Sequence, residues 1–440
     1  MEYGKNLTPE EKIKIIREAK NIRQIDLAQG LGCSHAVVSR AENPNDNGKY
    51  SEKHIIDAKK YLNIEKAPLY EKECALFRRE LYVWRELIKN EHMEDARKKQ
   101  KELGVIKHLP FEPELNLLYD MIEIRLLFKE RKFETSSDYL SRAEPLMKDA
   151  TAEILYEYYY NRGSQYLFDR EHEDALRFLT LALELEVADY VKEPSLNYNI
   201  ALCHARFGRY FLAIIMLERA YLQATSDEIS AVGMVIENNL GLNYLKIGNN
   251  EKAKEHFENT FERAKLIRNE RYIGNALHNK GCVYFKLGKY KEAIVFLDQA
   301  EEFFEKGDID YLENQYRKIR CLIAMNKPFG KDILQNAIVL AEGNEYFTMI
   351  FEALSRIISA PKDNDTLEYV ENTVIPYFMK WHSYNKALEY YDILEKAYKK
   401  RSEAKTLAKY QRDELERKIL NIGMSCFDIY KKMIGGEELV

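Results

Sequence analysis

NALHNKGCVYFKLGKYKEA (residues 275–293) reads as a helix, a tight turn through Gly288 and the start of a second helix. Within it, Gly281 is followed three residues later by Tyr284 and twelve residues later by Ala293. The same frame recurs upstream. Its small residue is Gly163, Ala201, Gly241 and Gly281, in steps of 38, 40 and 40 residues. Tyr166, His204, Tyr244 and Tyr284 stand three positions on, and Ala175, Ala213, Ala253 and Ala293 stand twelve on. Four beyond each alanine come Leu179, Leu217, Phe257 and Leu297. A small residue lets the two helices of a pair approach closely, while the large residue fills the space between pairs. A period near 40 residues therefore predicts stacked helix pairs.

This G/A-x-x-Y…A-x-x-x-L/F pattern resembles the tetratricopeptide repeat (TPR), with extra residues in the connections. Weaker copies precede it, carried by Trp84, Leu87 and Ala96 and then by Ile124, Leu127, Ser136, Leu140 and Ala143. Beyond residue 308 the register drifts around Pro328, Pro361 and Pro376, yet Ala387, Tyr391 and Leu394 still stand at repeat spacing. The expected fold class is all-α. A head at 1–65 and a linker at 66–72 precede about eight repeats over 73–401, which the TPR resemblance winds into a right-handed superhelix. The charged segment 402–440 reads as a long helix that caps the solenoid or joins a partner.

Composition narrows the function classes. With 440 residues, 46% of them hydrophobic, the chain has ample material for packed cores. A net charge of −5 argues against coating nucleic acid or anionic membrane along the whole length. The start, MEYGKNLTPEEKIK, has no apolar core and is not read as a signal peptide. Apolar runs such as FLAIIML (211–217) are too short to span a bilayer. Cys33, Cys74, Cys203, Cys282, Cys321 and Cys426 form no CxxC, which fits reduced thiols in the cytoplasm. His278 and Cys282 stand one helical turn apart, but two ligands do not make a zinc site. HExxH, a Gly-rich phosphate loop and G-x-S-x-G are all missing, so neither enzyme, metal nor cofactor is expected.

The head opens on Thr8-Pro9-Glu10-Glu11, an N-cap, a proline at the first helical position and a glutamate at the third. Ile13, Ile16 and Ala19 follow at helical spacing. RQIDLAQG, SHAVVSRAE and SEKHIIDAKKYLNI supply further short helices, with Gly32 at a turn and Ser34 at a cap. Gln24, Leu27 and Ala28, then Leu31–Ser34, then V-S-R-x-E at 38–42 resemble the helix-turn-helix of the lambda-repressor-like or XRE family. Two departures are Ala41, where a larger apolar residue is common, and the Asn-rich loop 43–50. The resemblance puts Ser34, His35, Ala36, Ser39 and Arg40 in the major groove of double-stranded DNA and Gln24 on backbone phosphate. Residues 1–64 carry eleven Lys/Arg against nine Asp/Glu, so affinity should rest on dimerisation and defined contacts.

Two positions before the small residue stands asparagine four times running: Asn161, Asn199, Asn239 and Asn279. Asparagine is a mediocre helix former, because its amide competes for backbone hydrogen bonds. In a TPR stack this slot faces the concave surface, where each amide offers a donor and an acceptor to an extended peptide backbone. Helices about 8–10 Å apart would give a ladder long enough for roughly seven to nine extended residues. Neighbouring slots hold Tyr160, Tyr198, Asn238 and His278, then Leu202 and Leu242, with Arg125 and Arg206 as candidate carboxylate partners. The plainer reading is that the asparagines only bridge adjacent repeats.

A helix-turn-helix head before a TPR body with inward asparagines resembles the RRNPP family (Rgg, Rap, NprR, PlcR, PrgX) of Gram-positive quorum-sensing regulators, nearest in size to NprR-like members. The resemblance implies a cytoplasmic, usually homodimeric transcription regulator that binds an imported signalling peptide in its concave face. It also implies a palindromic operator, one half-site per head. Two alternatives stand beside it: a Rap-like adaptor that docks a phosphorelay or response-regulator protein, and a peptide-independent dimeric repressor.

Overall fold

The structure, a computed structural model, describes residues 7–109, 111–185, 187, 193–224, 231–325, 331–361, 363–381, 383–397 and 411–414. All regular structure among the described residues is helical. Met1–Lys192 forms one compact unit and Glu193–Val440 a second.

The first unit opens with α1 (Pro9–Ala19), α2 (Gln24–Gly30), α3 (His35–Ala41) and α4 (Glu52–Tyr61). Thr8 caps α1 as its sequence context predicts. Its N–H donates to Glu11 Oε2 (2.7 Å) and its hydroxyl accepts from the Glu11 N–H (3.3 Å). Ile13, Ile16, Leu27, Ala28 and Val38 are buried. Ala19, on the same stripe, is exposed at the helix end. Arg17 reaches Glu42 with Nε (2.8 Å) and Nη2 (2.6 Å), tying α1 to the end of α3. The loop after α3 closes against it at Gly48, where a Cβ would lie 2.7 Å from the Arg40 carbonyl carbon. The expected linker 66–72 is packed rather than loose: Ala67 and Leu69 are buried. The Glu73 carboxylate accepts from the Leu69 and Tyr70 N–H groups and from Lys59. Lys12 pairs with Glu112 at 2.7 Å, so the head rests on the first repeats within one unit.

Helix pairs follow: α5 (Glu71–Lys89) with α6 (Met93–Leu103), α7 (Pro113–Lys129) with α8 (Phe133–Ala143), and α9 (Ala152–Phe168) with α10 (His172–Glu184). The second unit continues with α11 (Pro194–Arg206) and α12 (Tyr210–Ala224), α13 (Ala231–Lys246) and α14 (Asn250–Leu266), and α15 (Glu270–Lys286) and α16 (Tyr290–Glu301). The turns share one conformation. Glu91, Arg131, Arg170, Gly208, Gly248 and Gly288 all carry positive φ, between 59° and 84°. Each is the left-handed residue that ends a first helix and lets the chain double back. Only the last three are glycine, which is why the earlier repeats look weak in sequence although their geometry is the same.

The small residues act as the frame predicts. A Cβ on Gly163 would sit 2.6 Å from Leu179 Cγ, on Gly241 2.5 Å from the Phe257 ring, and on Gly281 2.8 Å from Leu297 Cγ. Leu179, Phe257 and Leu297 are fully buried, as are Ala175, Ala213, Ala253 and Ala293.

Beyond them lie α17 (Ile309–Ala324), α18 (Lys331–Leu340), α19 (Glu345–Ser359), α20 (Asn364–Tyr369), α21 (Ile375–Lys380) and α22 (Tyr384–Ala397). A π-type turn at Val370–Val374 joins α20 to α21 immediately before Pro376. Proline has no N–H to continue the helical ladder, so the register breaks there. Ala387 and Leu394 are fully buried and Tyr391 half-buried, at the depths their spacing predicts. Pro328, Cys426 and the expected helix 402–440 lie outside the described residues, apart from a helical turn at 411–414.

One buried ion cluster locks the first unit. Arg85 Nε and Arg125 Nε flank the carboxylate of Glu157 at 2.8 and 2.6 Å, and Glu157 is fully buried. Removing the shared anion would leave two guanidinium groups facing each other out of water. Glu157→Ala should lower unfolding free energy by about 3–5 kcal/mol in chemical denaturation. Gly241→Ala tests the close approach. In an open helix the change stabilises by up to about 1 kcal/mol. Against the fixed Phe257 ring, overpacking of roughly 1–3 kcal/mol should reverse the sign and lower the melting temperature.

Candidate peptide groove and nucleic-acid interface

Helices α11, α13 and α15 are the first helices of successive pairs, and forty-residue steps place like slots side by side. Those slots hold Tyr198, Asn238 and His278; Asn199, Asn239 and Asn279; and Leu202, Leu242 and Cys282. The amides run from helix to helix. Asn279 Nδ2 donates to Asn238 Oδ1 at 2.8 Å, and Asn239 Nδ2 donates to the Tyr198 hydroxyl (3.2 Å) and the Val235 carbonyl (2.9 Å). Burial lifts the Tyr198 phenol to about 12, so it stays a neutral hydroxyl in this network. Asn239 spends both of its amide N–H groups on the scaffold, whereas Asn279, 7% exposed, spends one of its two. The donor half of the pairing expected from sequence is therefore used up at Asn239 and only partly at Asn279. Asn199, Leu202 and Leu242 are half-buried on the same helices.

Two candidates in the first unit take structural parts instead. Asn161 is 1% exposed, and its Nδ2 donates to the Met121 carbonyl (2.8 Å), bridging α9 to α7. It holds repeats together, the plainer of the two sequence readings. Arg125 is 9% exposed, bound to Glu157 and stacked with its Cζ 4.1 Å from the Tyr160 ring centre. Its charge is answered by a residue on the next first helix, which corrects its assignment as a carboxylate anchor.

His278 is clasped on both ring nitrogens, Nδ1 by Asn314 Oδ1 (2.9 Å) and Nε2 by Cys282 Sγ (3.4 Å). Burial alone would raise the thiol and lower the imidazole. For Cys282 the Arg317 charge and the His278 contact reverse this and bring it down to about 7; for His278 the contacts with Cys282 and Asn314 and the Glu313 charge raise it to about 9. The contact favours the charged form of each partner: thiolate on Cys282 and imidazolium on His278. Among the described residues no group of three or more His, Cys, Asp or Glu could hold a metal ion.

The sequence reading named Arg206 and passed over Lys246 and Lys286, which lie in register with it at forty-residue steps. All three stand five residues past the small residue of their helix, and all three are exposed. Water reaches the lysines, yet the surrounding walls strip enough hydration to lower both pKa values. Arg317 and Lys386 push Lys246 down further, and Lys246 and Arg317 do the same to Lys286. Residues of α13, α15, α17 and α22 thus feel one another's charge across a common groove. The register from Arg206 was the available signal.

On the head, Ser34, His35, Ala36 and Arg40 are exposed along α3 and Ser39 is half-buried. Ser34 has the extended N-cap conformation, but its side chain makes no capping hydrogen bond. Among the described residues Arg40 has no ion-pair partner. Gln24 is half-buried, and its Nε2 donates to Glu42 Oε2 at 2.8 Å, joining it to the buried Arg17–Glu42 pair.

A tetratricopeptide-repeat family model matches residues 234–306. Over 310 residues the chain is 22% identical to the transcriptional activator NprA of Geobacillus stearothermophilus, covering 67% of this chain and 75% of that one. Over 250 residues it is 24% identical to response regulator aspartate phosphatase E of Bacillus subtilis (strain 168), covering 53% and 64%. The solved structure of NprR in complex with its cognate peptide NprX shares the fold, with a TM-score of 0.64 at 20% identity over 77% of this chain and 99% of that one. Relatives of both kinds, and the repeat between them, agree with the resemblance to the RRNPP family of TPR regulators.

Proposed function

We propose that this chain is a cytoplasmic transcription regulator, not an enzyme, that reads double-stranded DNA through α3 and is switched by a short linear peptide in the groove of α11, α13 and α15. The observation that carries the reading is the pairing, in one chain, of an exposed recognition helix with a groove whose slots repeat every forty residues. Ser34 and Arg40 have side chains uncommitted to the head and available to phosphate or to a guanine edge. The amide carbonyls of Asn239 and Asn279 accept peptide N–H groups at the strand spacing. Two heads of a homodimer would each cover one half-site of a palindromic operator. Its relative NprA is described as a transcriptional activator. No described helix is long and apolar enough to cross a membrane.

A second reading rests on the likeness to response regulator aspartate phosphatase E: a TPR adaptor that docks a phosphorelay protein. Arg40 separates the two. Selection from randomised duplexes with the full-length chain should enrich a palindromic site. Arg40→Ala should weaken binding to that site by about tenfold, the loss of one good phosphate or base contact. Absence of an enriched site would favour the adaptor. For the groove, replacing Asn199 and Asn239 together with alanine should weaken a selected heptapeptide about tenfold or more by calorimetry, on the order of 1 kcal/mol per lost hydrogen bond.

A further inference from the structure

The groove of the second unit also carries a charge pattern that the amide slots leave unused. Arg206, Lys246 and Lys286 form a ladder of cations along α11, α13 and α15. Lys286 Nζ donates to the Leu245 carbonyl at 2.7 Å. Among the described residues neither Lys246 nor Lys286 has a carboxylate within ion-pair distance. From α17, Arg317 adds a further cation, its nearest carboxylate Glu313 standing at 3.8 Å and its buried Nε making no hydrogen bond. The other carboxylate here, Glu389, is already shared by the Tyr316 hydroxyl (2.9 Å), Arg320 (3.4 Å) and Lys386 (3.5 Å). Cations therefore outnumber carboxylates on this wall. Both lysines, though exposed, are lowered from their ordinary pKa by partial loss of hydration and by neighbouring cations. A wall that keeps its ammonium groups close, partly dehydrated and unanswered is built for a negative charge that arrives from outside.

We propose that the ligand of this groove is an anionic peptide, one carboxylate of which lies between Lys246, Lys286 and Arg317. The carboxylate is an Asp or Glu side chain or the free C-terminus; both present the same two oxygens to the same cations. The inference rests on the peptide reading above and adds the sign of the charge. A cationic peptide would set like charge against like.

Synthetic heptapeptide pools test it, each with Asp, Asn or Lys fixed at one position in turn and with free or amidated C-termini. The full-length chain is titrated with each pool by calorimetry. Pools bearing the carboxylate should bind at least tenfold more tightly than their neutral counterparts, and Lys-fixed pools weakest. Loss on Asp-to-Asn exchange assigns a side chain, and loss on amidation assigns the terminus. In Lys246→Gln/Lys286→Gln the preference should vanish while the unfolding temperature holds or rises, because like-charge repulsion is relieved. If pools bind without regard to charge, or the preference survives the double substitution, the anion site is overturned while the peptide reading stands. If no pool binds, both fall.

Discussion

The close approach of paired helices at the small residue governs the rest of the structure. Gly163, Gly241 and Gly281 bring a neighbouring Leu or Phe side chain against the helix backbone, inside the distance a Cβ would need. That contact fixes the depth of each pair. The left-handed residue at the end of each first helix then fixes the angle of return. Once both repeat at forty residues, any other residue at that spacing is copied to an equivalent place on the next helix. The amide, apolar and cationic rows of α11, α13 and α15 all follow from one translation.

Polar groups divide by what answers them. Glu157 sits between Arg85 and Arg125, Glu42 between Arg17 and Gln24, and Asn161 against the Met121 carbonyl. The two ion clusters tie the first unit together, and removing a partner leaves a buried group unpaired, whereas Asn161 satisfies only its donor and keeps a buried, unpaired carbonyl oxygen. In the second unit the rows are open. The amides keep carbonyl oxygens, and Lys246 and Lys286 have no carboxylate within ion-pair distance among the described residues. An open set in a formed groove is where a ligand gains most, because the scaffold is already ordered when it binds. A peptide that binds one arrangement of the repeats better than another would shift the population of that arrangement and, in the proposed homodimer, the spacing of its two heads.

The repeat frame, the Thr8 cap and the buried faces of α1 to α3 were legible in sequence because each depends on residue type at short spacing. The weak early repeats were harder to read, since Glu91, Arg131 and Arg170 occupy a turn position where glycine is the usual marker. Whether an asparagine faces a ligand or a neighbouring helix was not legible. Asn161 and Asn239 share a slot and both reach a neighbouring helix, but Asn161 is sealed at 1% exposure while Asn239 is half-buried. The role of Arg125 was hidden in the same way, through Glu157 at 32 residues of separation. Lys246 and Lys286 were legible from the register of Arg206 and needed only the same alignment carried five residues further.

The central claim is that the groove and the DNA-reading head are coupled, and coupling between two binding sites is reciprocal. Its most direct test is the affinity of one selected heptapeptide for the full-length chain alone and for the chain saturated with its selected DNA duplex, both by calorimetry at one salt concentration. A peptide switch predicts two different dissociation constants, separated by about fivefold or more. Equal constants would mean that the two sites act independently, and would contradict the account.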